Sequence, residues 1–157
     1  MTRPSRLLKV VFATPSLLYR LGLGWMLGKR FLVLVHRGRK TGRLRETVLE
    51  AILFDAALNE SVVVSAYGTR ADWYQNLLVE QARRVRTGRL DYVPEQRFLD
   101  AEEARAVALA FTKRHPWEAK LIPRVLPAIG AAVTAQPNRE PVEMLVSLPM
   151  VAFRPKR

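Results

Sequence analysis

FLVLVHRGRKTGRLRETVLEAILF, residues 31–54, carries the first decision about the fold. Phe31 to Val35 is an unbroken apolar run of strand length. Gly38-Arg39-Lys40-Thr41-Gly42 interrupts it with turn chemistry. From Glu46 to Phe54 apolar residues return at period two, with Thr47, Leu49, Ala51 and Leu53 on one side and Glu46 and Glu50 on the other. Strands on either side of a short basic turn predict an antiparallel hairpin. Leu58-Asn59-Glu60 makes a second turn before the β-branched run from Ser61 to Tyr67, so the first three strands form a meander.

Downstream, Trp73 and Leu77 sit four apart and predict a short helix over Asp72 to Val79. Arg83 to Thr87 and Leu90 to Phe98 flank Gly88-Arg89 as a hairpin, and Pro94 makes the second of these an edge strand or a bulged one. Asp100 reads as a helix cap with Glu103 in the capping-box position, and Ala104, Val107, Ala108 and Phe111 line one face behind it. Pro116, Pro123 and Pro127 predict several short helical pieces, and Gln136 to Pro141 a loop. Met144 to Phe153 suits a closing strand, with Pro149 at an irregularity. Upstream, Leu7, Val10 and Val11 share one helical face. Thr14-Pro15 reads as the start of a second helix with Leu17, Leu18, Leu21 and Trp25 at helical spacing. That opening segment is either a helix packed on the barrel or a basic amphipathic stretch for a membrane surface.

Several short strands with helices between them predict a mainly β fold with flanking helices, an α+β barrel. At 157 residues the chain is one domain. A helical segment covers 1–28, the barrel core 31–99, and helices with the closing strand 100–157. There is no cysteine, which excludes disulfides and thiolate metal sites and suits a reducing cytoplasm. His36 and His115 have no zinc-type spacing. No apolar run reaches the length of a spanning helix, and no secretory signal is recognisable. The formal net charge is +12, and the first acidic residue is Glu46. Such a field favours anionic partners.

Hydrolase, zincin, P-loop and dinucleotide signatures are missing. Chemistry concentrates in two clusters. His36 to Arg45 combines two glycines, able to present backbone N–H groups as an anion nest, with Arg39, Lys40, a Thr41 hydroxyl and Arg45. Taken alone it reads either as a phosphate site or as a solvated basic turn. Ser65 to Asn76 lies between a strand end and a helix start, a natural lip for a planar anionic ligand. Trp73 and Leu77 there also read as core, and Asn76 on an apolar face needs a partner.

Gly38-Arg39-Lys40-Thr41-Gly42-Arg43-Leu44-Arg45 resembles the G-R-K-[ST]-G-x-x-R signature of the deazaflavin-dependent nitroreductase family. Trp73-Tyr74-Gln75-Asn76-Leu77 resembles its W-Y-x-N-L. The resemblance spans roughly Leu7 to Phe111. It implies a split β-barrel related to proteins that bind flavin mononucleotide (FMN), and coenzyme F420 as cofactor, with FMN the alternative. By resemblance Arg39, Lys40, Thr41 and Gly42 hold the phosphate and polyglutamate tail, with Arg45 beside them. Ser65, Ala66, Tyr67 and Gly68 border the ring, and Trp73 and Asn76 support it. The implied activity is hydride transfer to a quinone-like, nitro or other conjugated acceptor; the alternative is a non-catalytic binder on the same barrel. Tyr67 and Ser65 are the candidates for a protein acid. This chain departs from the family at Tyr67, where lysine and glycines are usual, and no tyrosine follows Tyr92. The expected partners are a small-molecule acceptor and not nucleic acid. A homodimer and a peripheral contact of the N-terminal segment with anionic membrane stay open.

Overall fold

The computed structural model describes residues 20–21, 24–133 and 139–157. The opening helices expected over Leu7 to Trp25 lie almost wholly outside the described residues. Strand β1, Phe31–Arg37, and strand β2, Leu44–Asp55, form the predicted hairpin, in register from Phe31 opposite Glu50 to Arg37 opposite Leu44. β2 is long because it serves two half-sheets. Its pairing shifts between Ala51 and Leu53, and beyond that irregularity it runs against β3, Glu60–Val64. The Asp55 carboxylate closes the β2–β3 turn by accepting from the Ala57 and Leu58 amides, leaving Asn59 in the left-handed region at φ 51.

Strand β4, Arg84–Thr87, pairs with β1 and, through the Gly88-Arg89 turn, with β5, Leu90–Tyr92. Strand β6, Pro94–Phe98, pairs with β7, Met150–Pro155, and β7 pairs with β3. Every pairing is antiparallel and the order is β5-β4-β1-β2-β3-β7-β6. Only Val93 separates the two ends of that order, so the sheet curls into a nearly closed barrel. Pro94 marks the place where the chain leaves β4 and joins β7, since proline cannot continue a ladder as donor.

The β7 run MVAF is apolar throughout because it is buried on both faces. Val151 and Phe153 join Leu32, Leu34, Val63 and Val85 in one core, closed by Trp73 and Leu77 of helix α1, Asp72–Val79. Met150 and Ala152, with Val62, belong to a second core under helices α2, Ala101–Arg114, α3, Pro116–Ala128, and α4, Pro141–Val146. The Asp100–Glu103 capping box forms as expected, with reciprocal bonds of 2.9 and 3.1 Å.

Three expectations are corrected. Pro123 and Pro127 lie inside one helix, α3, instead of breaking it; packing of Ile122 and Leu126 against the second core outweighs the lost amide bonds. Met144 and Leu145 are on α4, with Pro141 at its first turn, and the closing strand starts at Met150. A short apolar run does not distinguish a buried helix from a strand. Strand β3 stops at Val64, because Ser65 turns back on Gly68.

No helix among the described residues is long and apolar enough to cross a membrane, and none of their carboxylates and histidines cluster as a metal site.

Candidate functional site

The β1–β2 turn and α1 meet at one end of the barrel. Within the turn the Gly38 amide donates to the Arg43 carbonyl and the Gly42 amide to the Gly38 carbonyl, both at 2.8 Å. Gly42 sits at φ +67, where glycine is favoured. Gly38 is required for another reason. A Cβ there would stand 3.0 Å from Thr41 Oγ1 and 3.2 Å from Arg45 Nε, so its absence lets the hydroxyl and the guanidinium converge. The Lys40 and Thr41 amides donate to nothing among the described residues. Arg37 Nη1 donates to the Gly42 carbonyl at 2.6 Å and braces the turn from its strand side.

Asn76, only 3% exposed, joins this turn to α1. Its Oδ1 accepts from the Arg39 backbone amide and from Arg39 Nη1, each at 3.0 Å. Its amide nitrogen is therefore the group facing His36 Nδ1 at 3.0 Å. An amide N–H₂ only donates, so Nδ1 must accept and the imidazole proton sits on Nε2, donating to Thr47 Oγ1 at 3.0 Å. His36 is 2% exposed. Burial first, and the Arg45 charge second, hold its pKa below the ordinary histidine value and so favour the neutral ring this chain of bonds requires; Asp72 acts weakly the other way. Arg39 Nη1 also reaches the Asp72 carboxylate at 2.9 Å.

Arginines along the barrel are mostly neutralised. Arg37 pairs with Glu80, Arg39 with Asp72, Arg84 with Asp91, Arg86 with Glu46 and Arg30 with Glu50 and Glu118. Lys40, Arg43 and Arg45 are exposed and make no ion pair among the described residues. The remaining residues contain no Asp or Glu that could supply one. Lys40, Arg43 and Arg45 thus stand uncompensated at the β1–β2 turn and the first residues of β2.

The lip is built at the end of β3. Ser65 Oγ donates to the Gly68 carbonyl at 2.7 Å, the Gly68 amide returns a bond to the Ser65 carbonyl, and Ser65 is fully buried. Its hydroxyl does not face solvent. Gly68 lies at φ +65 and its Cα meets the segment after α3: a Cβ there would be 2.9 Å from Ala132 Cβ. The Ala66 carbonyl accepts from the Ala132 amide at 2.7 Å. Tyr67, between these anchors, is 55% exposed and its hydroxyl has no partner among the described residues. Gln75 of α1 donates to the Thr69 carbonyl at 2.6 Å, so α1 ties the lip as well as the turn. Trp73 is in the core, edge-on to Tyr74 at 5.9 Å between ring centroids.

The expected residues therefore gather on two loops, the start of β2 and α1, but in different roles. Lys40, Thr41, Gly42, Arg45 and Tyr67 face outward, whereas Ser65, Trp73 and Asn76 hold the loops from inside. Sequence reading put His36 and Asp72 inside its two clusters but gave neither a role. A signal for His36 existed: it follows Leu32 and Leu34 at period two, on the face that enters the core. A cavity of about 380 Å³ lined by Arg83, Arg84, Asp91, Tyr92 and Val93 involves none of the motif residues.

No protein-family model matches the chain, and no curated protein matches it. Solved structures do. An F420-H2 dependent reductase (FDR-A) matches at TM-score 0.51 and 15% identity, over 81% of this chain and 96% of that one. A chain solved as a domain-swapped dimer matches at 0.50 and 15%, over 89% and 99%. A pyridoxamine 5'-phosphate oxidase-related, FMN binding protein from Nostoc punctiforme matches at 0.50 and 14%, over 98% and 81%. At such identities the likeness is one of architecture, and by it this chain is a split β-barrel.

Proposed function

We propose that the chain is an oxidoreductase that binds coenzyme F420 and passes its hydride to a quinone-like, nitro or other conjugated acceptor. One observation carries the reading: among the described residues, Lys40 and Arg43 of the β1–β2 turn and Arg45 at the start of β2 make no ion pair, and the Lys40 and Thr41 amides donate to nothing. Cations and N–H donors presented together, with no carboxylate among them, suit a phosphate that continues into a polyanionic tail. The fold likeness to an F420-H2 dependent reductase supports the cofactor, and likeness to an FMN binding protein keeps FMN as the alternative.

In this reading Lys40, Thr41, Gly42 and Arg45 hold the phosphate end. Arg39 contributes by holding the turn on α1, since its guanidinium already meets Asp72 and Asn76. The lip residues Ala66, Tyr67 and Gly68 border the ring, Ser65 fixes their course, and Trp73 and Asn76 support it from the interior. Reduced F420, when bound, supplies the hydride. Tyr67 is the protein group placed to hold a proton near an acceptor; the Ser65 proton is already donated to Gly68. A homodimer belongs to the reading too, in keeping with the dimer formed by one structural neighbour.

The test is turnover: purified protein mixed with reduced F420 and a small quinone or nitroaromatic, followed by the return of oxidised-cofactor absorbance. Oxidation that depends on both protein and acceptor supports an enzyme. Binding without turnover for any acceptor assigns the chain to the non-catalytic binders.

A further inference from the structure

Helix α3 carries a second apolar face, turned away from the core. Ala119 and Ile122 are buried, but Trp117, Leu121 and Val125, four residues apart each time, stand in solvent, Trp117 with 79% of its surface exposed. At 3.6 residues per turn this is a continuous stripe. Lys120 and Arg124 border it on one side, and Lys113 and Arg114 close the preceding helix. None of these four cations forms an ion pair among the described residues. The lone acid of α3, Glu118, is taken by Arg30 at 2.5 Å.

We infer that this face lies on the surface of an anionic lipid bilayer. An apolar stripe headed by tryptophan and edged with uncompensated cations is what a helix in the headgroup region needs: rings and aliphatic chains enter the acyl boundary while the cations stay at the lipid phosphates. A second copy of the chain is a poorer complement. Among the described residues, only the acids Asp55, Asp100, Glu102 and Glu140 are outside ion pairs, and Asp55 and Asp100 are engaged in a turn and a helix cap. Little negative surface is left to meet four cations. The inference does not depend on the cofactor reading.

The experiment is co-sedimentation of the full chain with phosphatidylcholine vesicles, with and without phosphatidylglycerol, alongside sedimentation velocity without lipid. The stripe is exposed, so W117S/L121S and K120Q/R124Q should keep the wild-type melting temperature. Wild type is expected to pellet with the anionic vesicles. W117S/L121S should lose at least about tenfold in partitioning, and K120Q/R124Q about fivefold for each charge removed. Pelleting of W117S/L121S equal to wild type would overturn the inference, because binding would then come from elsewhere on the chain. Failure of wild type to pellet would overturn it too. So would a wild-type dimer that W117S/L121S converts to monomer with vesicle binding unchanged, since a second copy would then cover the face.

Discussion

Asn76 has one carbonyl oxygen and one amide group, and the fold uses both. The oxygen takes two N–H groups of Arg39; the amide faces His36. This explains why an asparagine sits on an apolar helix face, which spacing alone left unanswered. It also couples the turn to the protonation of a buried ring. A protonated His36 would set a donor against the Asn76 donor. Because the folded ring resists protonation while the unfolded one titrates near 6.5, the unfolded chain binds more protons just below that value. Stability is therefore expected to be complete above pH 6.5 and to fall as pH drops below it through the lowered folded value. Urea midpoints measured across mildly acidic pH should show that slope in wild type and lose most of it in His36→Gln. At the turn, Lys40→Ala and Arg45→Ala remove exposed cations whose side chains make no hydrogen bond or ion pair among the described residues. Each should weaken cofactor binding by roughly tenfold to a hundredfold, the size of a charge-assisted contact, while thermal melts stay unchanged. Wild-type affinity in both would remove the phosphate assignment. Arg39→Ala differs from these: it removes the guanidinium bonds to Asp72 and Asn76, leaving the backbone amide as the remaining Arg39 tie between turn and α1, and should lower stability as well as affinity.

Among the elements, those with strong local chemistry were legible in the sequence. The β1–β2 hairpin announces itself by a glycine-bounded turn, and α2 by its Asp100–Glu103 box. The illegible elements were those settled by burial. Met144 and Leu145 fill the core under α2 from a helix, although their run could equally make a strand. Two prolines within α3 are tolerated because its other side is packed. At the site, the turn cations and the lip were readable from residue type. The inward course of Ser65 was not, because it follows from where β3 stops pairing with β7. Trp73 anchors α1 in the barrel core and carries Asp72 and Asn76 with it. Trp73→Ala is expected to cost about 3–5 kcal/mol, seen in urea unfolding, and to weaken cofactor binding only to the extent that it unfolds the chain. A variant folded as well as wild type that no longer bound cofactor would place Trp73 in direct contact with the ligand instead.

Over the whole molecule, a charge of +12 is distributed unevenly. Among the described residues, pairs neutralise much of the barrel wall, while Lys40, Arg43 and Arg45 beside the β1–β2 turn and Lys113, Arg114, Lys120 and Arg124 of α2 and α3 make no ion pair. A nearly closed barrel buries its ladders and leaves loops at its end to carry chemistry, so turn and lip can vary while the core stays. The turn holds more cations than one terminal phosphate occupies, whereas the glutamate tail of F420 continues the negative charge outward. Titrating the protein with F420 and with FMN by fluorescence, at low and at high ionic strength, measures this directly. F420 should bind more tightly, with the gap between the two narrowing as salt screens the exposed cations. Tighter binding of FMN, or an F420 advantage indifferent to salt, would contradict the account.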